Sequence, residues 1–164
     1  MIVVLDTTPI ISLLKINRLD LLEKLYGMVI IPQAVYFELT DNEKYRSEAE
    51  IISDSNFIVR KDINDINALK TFRDTMMLDL GESEAIILAH ELKADVLLMD
   101  ESKGRKAAAN LNIPLSGTLG VLIDGFDAGI LSASEVNESL EIMQKAKRRI
   151  NSHLIQQVKD HMNK

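Results

Sequence analysis

Two short apolar runs in this 164-residue chain end on the same acid. IVVLD closes at Asp6 and VLLMD closes at Asp100, although a buried strand more often ends on Gly, Asn or Ser. If the two strands are neighbours, their carboxylates lie close together, and like charges that near need a cation between them or a proton on one. Two more acids are placed to join them. Glu38 follows Pro32 by six residues on a predicted helix, and Glu82 lies in the first turn of a helix opened by Leu80 and Gly81. The chain has no cysteine, and its three histidines (His90, His153, His161) lack metal-ligand spacing, so the available donors are oxygens. An oxygen set suits Mg²⁺ or Mn²⁺ better than zinc. Such ions keep waters and take phosphate oxygens, which makes phosphodiester hydrolysis by a metal-activated water the natural chemistry. Each acid also has an ordinary role open to it. Asp6 can cap a helix, Glu82 can answer a helix dipole, Glu38 can be a solvated helix residue, and Asp100 can start a turn. Convergence of all four on one edge is what favours ligands.

The elements that must position these acids alternate. MIVVL reads as a strand, with Thr8 as N-cap and Pro9 as first residue of the helix PIISLLK. LDLLEKL is a helix that stops at Tyr26-Gly27, and MVII is the next strand, followed by a helix PQAVYFELT with proline in its first turn. SEAEIIS continues the helical layer, FIVRK (57–61) is a weaker strand, and NALKTFRDTMM and GESEAIILAHELKA are helices. DVLLM is the third strong strand. GRKAAANL, the short strand IPL and the helix TLGVLIDGFDAG follow. Then come two amphipathic helices, SASEVNESLEIMQKAKRRI, opened by Ser134, and NSHLIQQVKDHM. Strand–helix alternation implies a mostly parallel sheet with helices on both faces, a three-layer α/β/α sandwich with added C-terminal helices. In such sheets ligands bind beyond the carboxyl ends of the strands, where strand order reverses.

Composition narrows the class. The length fits a single domain, 1–164, with a core over about 1–130 and a helical extension over 131–164. No apolar stretch approaches the roughly 18 residues of a membrane span, and no basic segment precedes the first apolar run, so no membrane association and a cytoplasmic location are expected. A net charge of −6 argues against a generally basic nucleic-acid binder, while leaving room for a local basic patch beside an acidic site. Lys103, Arg105 and Lys106 follow Asp100 closely, and KAKRR (145–149) is the densest basic run; each can track phosphates or simply be solvated. In GTLG (117–120) the glycines and Thr118 can present N–H groups to a phosphate, or form a plain turn and cap. A phosphoaspartate role is disfavoured because DTTP lacks a second acid two residues after Asp6 and IPL is not followed by lysine. There is no GxxxxGK[ST] pattern for P-loop nucleotide hydrolysis.

The ordered set DTTPIISLLKINRLDLLEKLYG, IPQAVYFEL, LDLGESEAIILAHELKADVLLMDESKGRKAA and GTLGVL resembles the PIN domain, over about residues 1–130. PIN domains are three-layer α/β metal-dependent ribonucleases, often the toxins of toxin–antitoxin pairs. The resemblance implies an endoribonuclease using Mg²⁺ or Mn²⁺, with RNA as substrate, an antitoxin protein as a further partner, and a homodimeric assembly. It places Asp6, Glu38, Glu82 and Asp100 as metal ligands and catalytic acids, with Glu101 as an additional ligand candidate. Glu82 departs from the family's usual Asp. Thr8 and Thr118 fall where the family puts hydroxyls near the metal or phosphate, and Lys103 and Arg105 are the candidates for holding the RNA backbone. A PIN fold that binds RNA or protein without catalysis is the alternative reading.

Overall fold

The computed structural model describes residues 1–41, 43–146 and 150–164. Its centre is five short parallel strands: β1 (Val3–Leu5), β2 (Val29–Pro32), β3 (Ile58–Lys61), β4 (Val96–Leu98) and β5 (Leu115–Ser116). They lie in the order β3-β2-β1-β4-β5 and all run the same way. The central strands β1, β2 and β4 are β-branched and Leu-rich without polar alternation because both faces are covered. Val3, Leu5, Val29, Ile31 and Leu98 point into one apolar cluster, and Val4, Leu97 and Met99 into another. That is the expected three-layer arrangement, and the sheet is parallel throughout.

Helices α1 (Thr7–Lys15) and α2 (Asp20–Tyr26) connect β1 to β2; α3 (Gln33–Thr40), a single 3-10 turn (Glu43–Tyr45) and α4 (Arg46–Asp54) connect β2 to β3. Between β3 and β4 lie α5 (Ile66–Met76) and α6 (Leu80–Glu91). Helix α6 is buried almost all round, with every residue from Ser83 to Ala89 out of solvent. Helix α7 (Ser102–Asn110) leads to β5, and α8 (Thr118–Asp127), α9 (Ala133–Lys145) and α10 (Ser152–Met162) finish the chain. Val136, Leu140, Met143, Ile155 and Val158 bring the last two helices into the same cluster as Val3 and Leu5. Among the described residues no helix is long and apolar enough to cross a membrane.

Several boundaries move. Helix α1 begins at Thr7 with Asp6 in the N-cap position, so Thr8 and Pro9 lie inside its first turn. Pro32 ends β2 and takes the N-cap place of α3, where its extended backbone suits both roles. Helix α9 opens at Ser132 rather than Ser134, because Ser132 and Glu135 exchange side-chain and backbone bonds in a capping box. It ends at Lys145, so the expected continuation through residue 150 is not helical at Ala146, and residues 147–149 of the basic run lie outside the described residues.

Candidate active site

Strand order reverses between β1 and β4, each the start of one half of the sheet, and the carboxyl ends of these two strands carry Asp6 and Asp100. The echo between IVVLD and VLLMD is offset by one residue. Leu5 pairs with Leu98, and the Asp6 N–H donates to the Leu98 carbonyl at 3.0 Å, which sets Asp6 level with Met99 and Asp100 one residue beyond. Side chains alternate along extended chain, so that offset sends the two carboxylates different ways.

Asp6 is 3% exposed and makes no side-chain cap bond to α1. Burial pushes its carboxyl up to about 7; the Thr7 N–H opposes the rise, and the charges of Glu82, Asp79 and Glu38 add to it. No cationic side chain pairs with Asp6 among the described residues. The three acids that act on it come from two helices whose N-terminal turns meet the sheet edge. Glu38 stands on α3, and its Oε2 accepts the Thr7 hydroxyl at 2.9 Å. Asp79 and Glu82 form a capping box at the start of α6: the Glu82 N–H donates to Asp79 Oδ1 at 2.8 Å, and the Asp79 N–H donates to Glu82 Oε2 at 3.2 Å. Burial raises the Glu82 carboxyl, with Asp79 and Glu101 adding charge and Lys103 opposing. Glu101, exposed at the N-cap of α7, thereby belongs to the same electrostatic neighbourhood.

Asp100 is held by α8. Its Oδ1 accepts the Thr118 N–H at 2.8 Å and its Oδ2 accepts the Thr118 hydroxyl at 2.6 Å. The anion-seeking start of α8 is thus answered by a carboxylate of the chain itself. Gly117 allows the approach, since a Cβ there would lie 2.5 Å from Asp100 Oδ1. Arg105 Nη1 donates to the carbonyls of Met99 and Ser116, at 2.7 and 2.9 Å, and ties the ends of β4 and β5 together. Lys103 Nζ donates to the Met77 carbonyl at 2.8 Å. Thr8, half-buried in the first turn of α1, is not the hydroxyl that meets Glu38; its neighbour Thr7 is.

Two residues of this site were not singled out in the sequence. Asp79 has a readable signal, D-x-x-E ahead of an apolar run, but that pattern announces a helix start, and here the cap is also a member of the acid group. Thr7 has no signal apart from its place after Asp6.

The donor set fits a hard divalent ion by chemistry, since it is all oxygen and one member, Asp6, is driven toward the neutral form by burial and by its like-charged neighbours. The side chains are not drawn together: among the described residues no three Asp, Glu or His side chains converge into a group able to hold a metal. The hydrogen bonds explain this, because Glu38, Asp79, Glu82 and Asp100 each have oxygens engaged by a local donor. A family model described as a PIN domain (DUF3368) matches residues 2–164 and so extends past the motifs at residues 1–130 to the end of the chain. No curated protein and no solved structure matches.

Proposed function

The chain belongs to the PIN domain family, whose members are generally nucleases, and from that we propose a divalent-metal-dependent endoribonuclease whose centre is Asp6. One observation carries the reading: a carboxyl buried to 3% at the strand switch point, raised to about 7 by burial and by three neighbouring acids, with no cationic partner among the described residues. Asp6, Glu38, Asp79 and Glu82 would hold Mg²⁺ or Mn²⁺, with Asp100 and Glu101 at the margin of the site. Held by these residues, such a cation would supply Lewis-acid activation of water and charge compensation for phosphodiester hydrolysis. The chain's own part is positioning. Thr7 fixes the Glu38 carboxylate, the capping box orients Asp79 and Glu82, and Thr118 fixes Asp100.

The test is cleavage of mixed RNA with Mg²⁺ or Mn²⁺ by the wild type, Asp6→Asn and Asp100→Asn. Wild type cuts, and Asp6→Asn is slowed at least about a hundredfold, the scale of losing a preorganised charge group. Undiminished cutting by both variants would remove these acids from the site. The second reading, a PIN domain that holds RNA or protein without cutting, is favoured by the local bonding of the acids; RNA bound but never cut would establish it. We extend the first reading to a toxin that works as a cytoplasmic homodimer, tested by growth arrest on expression, its relief by a small neighbouring reading frame, and solution mass.

A further inference from the structure

An open groove of about 560 Å³ runs between α3 and the start of α6. Ala34, Phe37 and Glu38 fall at i, i+3 and i+4 on one stripe of α3, Asp41 continues it at the C-cap, and all four line the groove with Asp79 and Leu80. Phe37 is 43% exposed and Leu80 40% exposed, so the groove presents two apolar side chains beside the acid group. Glu38 and Asp79 belong both to the groove and to the charge cluster around Asp6. Phe37 is also the end of a chain of contacts. Its ring meets Tyr36 edge to face at 6.1 Å, and the Arg60 guanidinium lies over the Tyr36 ring at 4.3 Å. Arg60 and Lys61 are exposed at the carboxyl end of β3, on the same sheet edge as Asp6. A guanidinium laid over an aromatic face keeps its N–H edge free, and no carboxylate pairs with Arg60 among the described residues.

We infer that this groove is the nucleobase subsite of the nuclease proposed above, with one unstacked base of a single strand lying on Phe37 and the adjoining phosphate taken by Arg60. The inference rests on that nuclease reading for the identity of the strand. Charge decides which part of a nucleotide enters. With Glu38 and Asp79 given to the cation, Asp41 is the carboxylate left beside Phe37, and it repels a phosphate from this part of the groove while a neutral base brings it N–H donors. The phosphate must therefore be met outside the groove, where Arg60 and Lys61 stand. Aromatic stacking with a cation close by is the usual way single strands are held without base pairing. On the opposite flank, Lys103 and Arg105 already donate to backbone carbonyls, which leaves less of them for a phosphate.

The chain contains no tryptophan, so Phe37→Trp makes a single reporter in the groove. In Ca²⁺, a single-stranded oligoribonucleotide of roughly eight nucleotides should quench it saturably, and an abasic strand of the same length should bind about tenfold more weakly with little quenching. Arg60→Gln should weaken both strands alike. In cleavage assays Phe37→Ala should raise KM about tenfold with kcat retained, and Phe37→Tyr should restore KM. Cleavage with an unchanged KM in Phe37→Ala sinks the subsite and leaves the nuclease reading standing. Base-dependent quenching with no cleavage by wild type does the reverse. Equal response to the abasic strand, or quenching by an apolar peptide and not by RNA, also overturns the subsite.

Discussion

Asp6 occupies a helix N-cap position and makes no cap bond, and its proton affinity makes the consequence measurable. An acid whose folded pKa lies above its unfolded value adds stability that is complete below the unfolded value and is lost as pH rises through the folded one. For Asp6 the window runs from 3.8 to about 7 and corresponds to about 4 kcal/mol. Metal-free wild type should therefore lose stability relative to Asp6→Asn between these values, read by urea denaturation in chelator across the range; parallel profiles would refute the burial argument. Asp79 has two roles that one substitution separates. Serine caps as well as aspartate, so Asp79→Ser should hold stability within about 0.5 kcal/mol while Asp79→Ala loses about 1 kcal/mol. Both should lose cleavage at least tenfold if the Asp79 charge serves the site, and full activity in the serine variant would confine Asp79 to capping. The acids Asp6, Glu38, Glu82 and Asp100 were legible because each follows an apolar run or a helix start. The one-residue offset between Asp6 and Asp100 was not, since strand register depends on partners far along the chain.

At the scale of elements, two contacts from other segments set where the acids stand. The Glu84 carboxyl on α6, 7% exposed and raised by burial, faces the Ala34 N–H in the first turn of α3, the helix that carries Glu38. Gly117 lets Asp100 reach the start of α8, and a Cβ there would also lie 3.4 Å from Arg105 Nη1 and from the Met99 carbonyl. Gly117→Ala should therefore push Asp100 away from Thr118 and cost about 1–3 kcal/mol, the range for crowding a packed position, measured by thermal unfolding. An unchanged melting temperature would mean that the loop yields freely. Most elements could be read from hydrophobic pattern and punctuation, including the weak strand at 58–61, whereas β5 lies at Leu115–Ser116 and shares only Leu115 with the expected IPL. Caps were harder. Ser132 and Ser134 are both good cap types, and only Ser132 has a glutamate three residues on, so the box and not the serine marks the start. Thr8-Pro9 looked like a helix opening because proline tolerates the whole first turn, and the chain turned helical one residue before Thr8.

At the scale of the molecule, the C-terminal helices are part of the core that supports β1. Leu131, Val136, Leu140, Met143, Ile155 and Val158 are each at most 7% exposed and share one apolar cluster with Val3, Leu5 and Leu98. Burying side chains of this size stabilises by roughly 1.5–3 kcal/mol each. Together they contribute on the order of 10 kcal/mol, which matches the whole net stability of an ordinary domain. The sequence reads as a single domain over 1–164, with a core over about 1–130, where the family motifs lie, and a helical extension over 131–164. The shared cluster means that the face of the sheet carrying Val3, Leu5 and Leu98 is completed by side chains of those last helices. A chain ending after Ile130 should then lack a cooperative thermal transition and lose cleavage along with the fold. A sharp transition near the full-length melting temperature would show that residues 1–130 carry their own core.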